Sequence, residues 1–354
     1  MIESKGGIKM KFKKVLSLIL SVIMLSSCLV FSASAKEESM DELIGKFEYG
    51  VGPETDGHAV DYRYYSPAGE DDDTKYPLVV WIHGMGDGAY DGKQIEKNDF
   101  SKWASAEFQS RFPAGGAYLL APRSPEEKGL FWPDEIISSL RAAIDDFISK
   151  NENVDTSRIY IGGYSMGGKM TLKMAVAYPE MFAAAMPICP AWVPGEEATA
   201  LISDIPVWLV SSPADPLVNY FAWVMPAWEN IVSQSEVAAD CRFSTLSLAC
   251  YPDGKLTSSN HHAWYAVAND MFSSENGAYP KMKTVDGNGE KVELTYPDGM
   301  ISWLSAFSSD YDGAPATDGG NSQAREEYET KISFDMLSLL LRNLVNYIIS
   351  CIKG

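Results

Sequence analysis

The chain has 354 residues, of which 46% are hydrophobic and 22% are charged, a composition that indicates a globular protein and excludes a disordered one. Its formal net charge of −19 argues against nucleic acid and anionic membrane surfaces as partners, because both would repel an acidic protein. The length suffices for one large domain or two ordinary ones.

The first 35 residues have the pattern of a signal peptide. A cluster of four lysines precedes an apolar run at 15–31, and Ala33-Ser34-Ala35 forms an A-x-A cleavage signal. The sequence therefore predicts a secreted, extracellular protein. The alternative is a bacterial lipobox-like sequence that ends at Cys28, which would leave the protein lipid-anchored at the cell surface.

Apolar segments alternate with helix-compatible segments between residues 58 and 250. The run at 78–82 is continuously apolar, which is typical of a strand buried on both faces of a parallel sheet. The sequence predicts helices at 100–112 and 134–149 and a partly helical segment at 218–233. This alternation predicts an α/β fold with a doubly wound, mostly parallel sheet. The predicted strands cover 58–65, 78–82, 117–121, 159–161, 182–188, 206–210 and 243–250.

The pentapeptide Gly163-Tyr164-Ser165-Met166-Gly167 has the G-x-S-x-G pattern of a nucleophile elbow. It follows the predicted strand at 159–161 and precedes a helix-compatible segment, which is the context that the motif needs. The serine must sit on a strained turn, where side chains at 163 and 167 would collide with the neighbouring strand and helix. Ser165 is therefore predicted to be a catalytic nucleophile.

A serine nucleophile needs a base, and the base needs an acid that orients it. The chain contains four histidines, and two of them, His261 and His262, lie downstream of Ser165, where this chemistry places its base on α/β sheets. The residues alone do not decide which of these two histidines is the base. Asp215 follows the predicted strand at 206–210 and is the predicted acid, with an ordinary Asp-Pro turn as the alternative.

Two backbone N–H groups are predicted to form an oxyanion hole. One belongs to Met166, directly after the nucleophile, and the other to Met85, in the loop after the strand at 78–82. His83 in that loop is predicted to be a structural hydrogen-bonding residue, because its spacing to Asp87 is poor for a metal site. This chemistry needs no cofactor and no metal.

Trp192, Trp223 and Trp264 are candidate substrate-binding residues, because indole rings stack on sugars and on aromatic acyl groups; core packing is the alternative. Four cysteines follow the signal peptide, and their spacing predicts neither a compact disulfide framework nor a C-x-x-C metal site. Cys189 is expected near the site, but it is no rival nucleophile because it has no base of its own.

The sequence pattern changes after residue 263. Asp286-Gly287-Asn288-Gly289 predicts a hairpin insertion at 282–294, before a helix near 301–307. We expect the catalytic domain to cover 36–310, followed by a polar, Gly-rich linker at 311–324 and a C-terminal helix at 325–354. Polar residues interrupt that helix too often for a membrane span, so docking on the domain is preferred over binding to a partner or a membrane surface.

Several blocks between residues 62 and 270 resemble secreted α/β-hydrolase esterases of the polyhydroxybutyrate-depolymerase and feruloyl-esterase-like group, often called predicted peptidases. The resemblance implies that His261, which opens a His-x-x-Trp block ending at Trp264, is the base, and that Asp215 is the acid. Two departures are Ser211-Ser212-Pro213 before the acid and the insertion at 282–294. The blocks are YPLVVWIHGMGDG, VDTSRIYIGGYSMGG, YPEMFAAAMPICP, PVWLVSSPADPLV and HHAWYAVAND.

The sequence thus predicts a secreted serine esterase that works through an acyl-enzyme, with Ser165, Asp215 and His261 as catalytic residues. The resemblance implies feruloyl or acetyl esters of plant polysaccharide as substrates. A serine peptidase or polyester depolymerase of the same fold is the first alternative, and a non-catalytic binding module is the second. The expected partner is a small-molecule or polysaccharide ester, with membrane binding only if Cys28 is lipidated.

Overall fold

The computed structural model describes residues 38–67, 73–96, 98–126, 129–274, 277–278, 282–294, 299–316 and 319–325. The predicted signal peptide and the predicted C-terminal helix beyond residue 325 lie outside these ranges. Within them, every helix is too short or too polar to traverse a bilayer.

Eleven strands are present in the described residues. They are β1 (Glu48–Val51), β2 (Asp61–Tyr65), β3 (Tyr76–Ile82), β4 (Tyr118–Pro122), β5 (Val154–Tyr164), β6 (Ala184–Ile188), β7 (Trp208–Ser211), β8 (Arg242–Leu246), β9 (Ser273–Ser274), β10 (Gly277–Ala278) and β11 (Met282–Asp286). Nine of them form one sheet in the order β1-β2-β4-β3-β5-β6-β7-β8-β11, while β9 and β10 pair separately.

The neighbouring strands from β4 to β8 in this order are parallel, whereas β1, β2 and β11 run antiparallel to their partners. The prediction of a doubly wound, mostly parallel sheet is therefore confirmed. Because β5, β6 and β7 are parallel neighbours, their carboxyl ends meet at one edge of the sheet, which is where ligands bind in this class of fold.

Helices fill the connections between the parallel strands. The predicted helix at 100–112 is interrupted at Ser105, whose extended backbone separates a 3₁₀ turn from a short helix and whose side chain caps the amide of Phe108. The helices are α1 (Met40–Ile44), α2 (Lys93–Glu96), α3 (Ala106–Gln109), α4 (Ile137–Lys150), α5 (Met166–Ala177), α6 (Glu196–Ala200), α7 (Met225–Gln234), α8 (Trp264–Ala268) and α9 (Met300–Leu304), with 3₁₀ turns at Phe100–Ala104, Asp134–Ile136, Pro179–Met181 and Ser322–Arg325 and a π turn at Tyr220–Val224.

Strand β3 lies in the middle of the hydrophobic core. All seven of its residues are buried, as its continuous apolar run predicts. On one face, the Trp81 ring stacks on Phe100 with ring centroids 4.9 Å apart and planes 5° from parallel. The core therefore holds the carboxyl end of β3 rigidly beside the start of the loop that carries His83 and Met85.

The structure has a hairpin at the predicted insertion of 282–294, and the hairpin extends the main sheet. Its first arm is β11, which pairs with β8 from Met282 opposite Leu246 to Asp286 opposite Arg242. The chain then turns, and the amide of Val292 donates to the carbonyl of Thr284 at 3.0 Å. The sequence predicted the turn of this hairpin. It did not predict that β11 would pair with the outer edge of β8.

The described part of the predicted linker packs against the domain. Tyr311 is buried, and its hydroxyl accepts a hydrogen bond from the Arg141 guanidinium at 3.1 Å. Ala324 is completely buried. Hydrogen bonds add to these apolar contacts: the amide of Ala316 donates to the Asp145 carboxylate at 3.2 Å, and the Asn321 side chain donates to the Val176 carbonyl at 3.1 Å.

A buried ion pair fixes the start of helix α9 to the core. The Asp270 carboxylate is 1% exposed, lies 3.1 Å from the Arg111 guanidinium and accepts the amide of Met300 at the start of α9. Burial raises the pKa of Asp270 to about 6, although the Met300 amide and Arg111 oppose that rise. The carboxylate thus joins α9 to the segment around Arg111.

We expect Asp270→Ala to lower the free energy of unfolding by about 3 kcal/mol, because the buried amide of Met300 loses its acceptor and Arg111 keeps only its more exposed partner, Glu107. Chemical denaturation monitored by tryptophan fluorescence measures this change. Asp253→Ala is the matched control, because Asp253 pairs with Lys255 in solvent and its loss should leave the transition unchanged. Equal transitions for the two variants would contradict the structural role of Asp270.

Candidate active site

Ser165 stands at the sharp turn between β5 and α5. Its backbone has φ 58° and ψ −118°, a conformation that L-residues rarely adopt and that stores strain. The amide of Ser165 donates to the carbonyl of Ile188 at the end of β6, at 2.9 Å. This is the strand–turn–helix geometry that the G-x-S-x-G pattern predicted.

The glycines of the motif are required by close backbone contacts. A Cβ atom on Gly163 would lie 2.4 Å from the carbonyl oxygen of Ile82, and one on Gly167 would lie 2.1 Å from the same oxygen. Gly168 is equally constrained, since a Cβ there would lie 2.5 Å from the carbonyl oxygen of Ile188. The end of β3 therefore runs directly against the turn.

Asp215 and His261 meet at the same edge of the sheet. Asp215 lies in the loop after β7, and its Oδ2 accepts a hydrogen bond from His261 Nδ1 at 2.7 Å. Its other oxygen accepts the amides of Leu217 at 2.8 Å and Val218 at 3.0 Å. Both side chains are almost fully buried, so the aspartate is held in one orientation and faces the imidazole.

The second candidate histidine has no such partner. The ring of His262 packs against Trp264 with centroids 4.7 Å apart, and its Nδ1 makes no hydrogen bond within the described part of the chain. Burial and the neighbouring His261 lower the pKa of His262. The geometry thus agrees with the choice of His261 that the His-x-x-Trp resemblance implied.

The environment of His261 favours its charged form. Burial works against protonation, but the Cys189 sulfur and the Asp215 carboxylate beside the ring outweigh it and raise the pKa of His261 above its ordinary value. An imidazolium is stabilised here, and this is what a base needs once it has accepted a proton.

Trp264 connects the base to the nucleophile turn. Its ring lies 4.3 Å from that of Tyr164, the residue before Ser165, and 5.7 Å from the His261 ring at a nearly perpendicular angle. No hydrogen bond joins the Ser165 hydroxyl to His261 in the described residues. Such bonds often tighten only when substrate binds, so the arrangement is compatible with a nucleophile and its base.

The predicted oxyanion amides lie on two segments that touch. Met85 follows β3 and is 58% exposed, and Met166 is the first residue of α5. In the described chain, neither amide donates a hydrogen bond. The next residue in the loop, Gly86, donates its own amide to Gly129 at 2.7 Å, which fixes the loop. The role of the Met85 and Met166 amides in binding an oxyanion stays a prediction.

His83 supports this loop, as predicted. It is completely buried, its Nδ1 donates to the Gly84 carbonyl at 2.7 Å, and its Nε2 accepts the amide of Ser124 at 3.1 Å. Burial, against a smaller opposing effect of the Gly84 carbonyl, lowers the pKa of His83 to about 4. The ring is therefore neutral at pH 7 and spans β3 and the segment after β4.

One supporting contact was not anticipated from the sequence. The hydroxyl of Tyr164 donates to the Asp87 carboxylate and so closes the loop after β3 over the elbow. Both residues sit inside motifs that the sequence identifies, but nothing in either motif indicates that they meet, because they are 77 residues apart.

The tryptophans predicted to bind substrate differ in their surroundings. Trp192 is completely buried, with the Lys173 ammonium 4.9 Å from its ring centroid, so it packs in the core and offers no face to a ligand. This corrects the prediction for Trp192. Trp264 is 9% exposed and Trp223 is half-buried, and their contact with substrate stays a prediction.

A large cavity lies away from these residues. Its volume is about 940 Å³, and it is lined by segments that precede β6, β7 and β8, including Glu180, Asp204 and Asp240. These are the amino ends of the strands, opposite to the edge that carries Ser165. The cavity is therefore separate from the candidate active site.

Known proteins share sequence with this chain. Residues 55–232, about half of the chain, match the protein family described as “Putative esterase”. The chain is 23% identical over 221 residues to acetylxylan esterase A of Aspergillus oryzae, a match that covers 59% of this chain and 58% of that protein. It is 40% identical over 123 residues to poly(3-hydroxyalkanoate) depolymerase C of Paucimonas lemoignei, covering 32% of this chain and 27% of that one. The chain thus spans less than two thirds of these curated relatives.

A solved structure confirms the fold. The chain is similar to a thermostable esterase with a TM-score of 0.52 and 28% sequence identity, over 64% of this chain and 61% of that one. The predicted resemblance to α/β-hydrolase esterases is therefore confirmed at the level of family and fold.

Gly167→Ala is expected to lower the free energy of unfolding by at least about 3 kcal/mol, because its methyl group would collide with the backbone of β3. Gly195→Ala is the matched control, since Gly195 has φ −71° and open space where its methyl group would lie. Urea denaturation compares the two. A Gly167 variant as stable as the Gly195 variant would show that β3 does not approach the elbow this closely.

The lowered pKa of His83 predicts acid sensitivity. A histidine whose pKa falls from about 6.5 to about 4 on folding stabilises the protein above pH 6.5, and this contribution is lost as the pH falls toward 4. We expect the unfolding free energy to fall less steeply between pH 6.5 and 4.5 in His83→Asn than in the wild type. Parallel pH profiles for the two proteins would contradict a neutral, buried His83.

Proposed function

The chain belongs to the Esterase family, and we propose that it is a secreted serine hydrolase that cleaves carboxylic esters through an acyl-enzyme intermediate. The observation that carries the proposal is the buried hydrogen bond between Asp215 and His261, at the same sheet edge as the strained turn of Ser165. A binding module that had kept only the fold would have no use for this arrangement of groups.

The residues suggest the following reaction. His261 accepts the proton of the Ser165 hydroxyl as the oxygen attacks the ester carbonyl, and Asp215 stabilises the resulting imidazolium. The amides of Met85 and Met166 would hold the oxyanion of the tetrahedral intermediate. His261 then gives its proton to the departing alcohol, which leaves Ser165 acylated.

Water completes the cycle by the same route. His261 takes a proton from the water that attacks the acyl-enzyme, and returns it to Ser165 as the acid product leaves. His261 carries each proton in both halves of the reaction, and Asp215 stabilises the imidazolium each time it forms. The ester bond to Ser165 that forms in the first half is hydrolysed in the second, and Ser165 regains its proton.

Acetyl esters on a polysaccharide are the substrates that the comparisons support best. The chain is similar to acetylxylan esterase A of Aspergillus oryzae over more than half its length. Feruloyl esters follow from the sequence resemblance alone. Export depends on the predicted signal peptide at 1–35, with lipidation at Cys28 as the alternative outcome, and mass spectrometry of the mature N-terminus distinguishes the two.

A polyester depolymerase is the second candidate. The 40% identity over 123 residues to poly(3-hydroxyalkanoate) depolymerase C is the observation that favours it. Its chemistry would be identical, since a polyester bond is also a carboxylic ester. Release of hydroxyacid from polyhydroxybutyrate, compared with release of acetate from acetylated xylan and of ferulate from methyl ferulate, separates the candidates, and a peptide anilide tests for peptidase activity.

Ser165→Ala is expected to lower kcat for p-nitrophenyl acetate by at least about 10³-fold, because the nucleophile is lost. A fluorophosphonate probe should label the wild type at Ser165 and should not label the variant. Labelling that persists in Ser165→Ala, or a wild type that neither labels nor turns over any ester, would refute the serine mechanism.

The two adjacent histidines provide a matched pair of variants. His261→Gln should lower kcat by about 10³-fold or more, since it removes the base, whereas His262→Gln should change kcat by less than about tenfold. Circular dichroism checks that both fold. A larger loss in His262→Gln than in His261→Gln would reverse the assignment of the base.

A further inference from the structure

A third side chain lies against the Asp215–His261 pair. The Cys189 sulfur, a ring nitrogen of His261 and a carboxylate oxygen of Asp215 are all within 4.8 Å of one another. The hydrolytic reaction described above does not use this thiol. Within the described residues, these three side chains form a buried set of the kind that holds metal ions.

The backbone holds the cysteine in this place. Cys189 follows β6 with φ 37°, a left-handed conformation that is strained for a residue with a side chain. Its amide donates to the carbonyl of Val210 at 2.8 Å, and its thiol donates to the carbonyl of His261 at 3.7 Å. The side chain is completely buried. The thiol is thus directed at the base rather than placed there by a mobile loop.

The ligand chemistry and the spacing suit a zinc-like cation. Zn²⁺ binds thiolate sulfur at about 2.3 Å and imidazole nitrogen and carboxylate oxygen at about 2.0–2.2 Å, so tetrahedral ligands lie about 3.3–3.7 Å apart. No two donor atoms are more than 4.8 Å apart, so the sulfur would need to approach by about 1 Å. The His261 Nδ1 and Asp215 Oδ2 atoms, now 2.7 Å apart, would need to separate by about 0.6–1 Å to bind the same ion. Mg²⁺ and Ca²⁺ prefer all-oxygen sites, and the sulfur disfavours them.

We propose that Cys189, His261 and Asp215 form an inhibitory site for a thiophilic divalent cation such as Zn²⁺. Binding displaces the thiol proton of Cys189 and the proton that His261 shares with Asp215, and water completes the coordination. The ion then occupies the imidazole and the carboxylate that proton transfer needs, so hydrolysis stops until the ion is removed. The inhibitory effect rests on the proposed function, whereas binding of the ion does not.

Cadmium binding tests the site without any assay of catalysis. Titration of the full-length protein with Cd²⁺ is followed by the ultraviolet charge-transfer absorption of a cadmium thiolate. We expect one equivalent of signal in the wild type, its loss in Cys189→Ser, and its retention in Cys250→Ser. Cys250 is the matched control, a free and half-buried thiol without the histidine and aspartate. Equal signals in wild type and Cys189→Ser would overturn the proposal.

Zinc inhibition tests whether an ion bound at this site stops hydrolysis. Zn²⁺ should inhibit p-nitrophenyl acetate hydrolysis by the wild type, and EDTA should restore it. In Cys189→Ser the Zn²⁺ concentration for half-inhibition, relative to that variant's own uninhibited rate, should rise by more than about tenfold, since loss of even an outer-shell partner weakens binding that much. An unchanged half-inhibition concentration in Cys189→Ser would also overturn the proposal.

Cadmium absorption and esterase activity together distinguish a failure of the metal site from a failure of the proposed function. A cadmium signal that depends on Cys189 in a protein without esterase activity would support the metal site and refute the proposed function. Esterase activity without such a signal would support the function and refute the metal site. If Cys189→Ser fails to fold by circular dichroism, Cys189→Ala replaces it with the same expectations, because alanine also lacks a sulfur ligand.

Discussion

The hydrogen bond between Asp215 and His261 is the contact on which the candidate site depends. It joins side chains 46 residues apart, and it forms because the loop after β7 and the segment before α8 meet at one edge of the sheet. The amides of Leu217 and Val218 satisfy the second carboxylate oxygen. A buried carboxylate is tolerated only when its oxygens are paired in this way, and the same pairing fixes its direction.

Strain is concentrated at this edge. Ser165 after β5 and Cys189 after β6 both have positive φ, and the amide of Ser165 binds the residue before Cys189. Two neighbouring strands therefore end in unfavourable backbone conformations at the same place. The hydrogen bonds of the sheet and the packing of Gly163 and Gly167 on β3 hold these conformations, which is the usual way in which proteins keep strain where they do chemistry.

The supporting residues explain how one edge can combine a half-buried nucleophile with a buried base. His83 spans β3 and the segment after β4 as a neutral ring, and Tyr164 closes the loop through Asp87. Trp264 fills the space between the elbow and His261. The large cavity at the amino ends of the strands shares none of these residues, so volume alone is a poor guide to the site in this protein.

The sequence by itself determined the elements whose signal is local. The G-x-S-x-G pattern identified the elbow because its glycines are demanded by contacts within one turn, and the apolar run of β3 identified a central strand. Chain order placed Asp215 and His261 in the right sequence, although the choice between His261 and His262 needed a family resemblance. The tertiary structure decided what depends on distant partners: the burial of Trp192, the pairing of β11 with β8, and the approach of Cys189 to His261. A residue's own type and spacing say nothing of which surface will cover it, because that surface comes from segments far away along the chain.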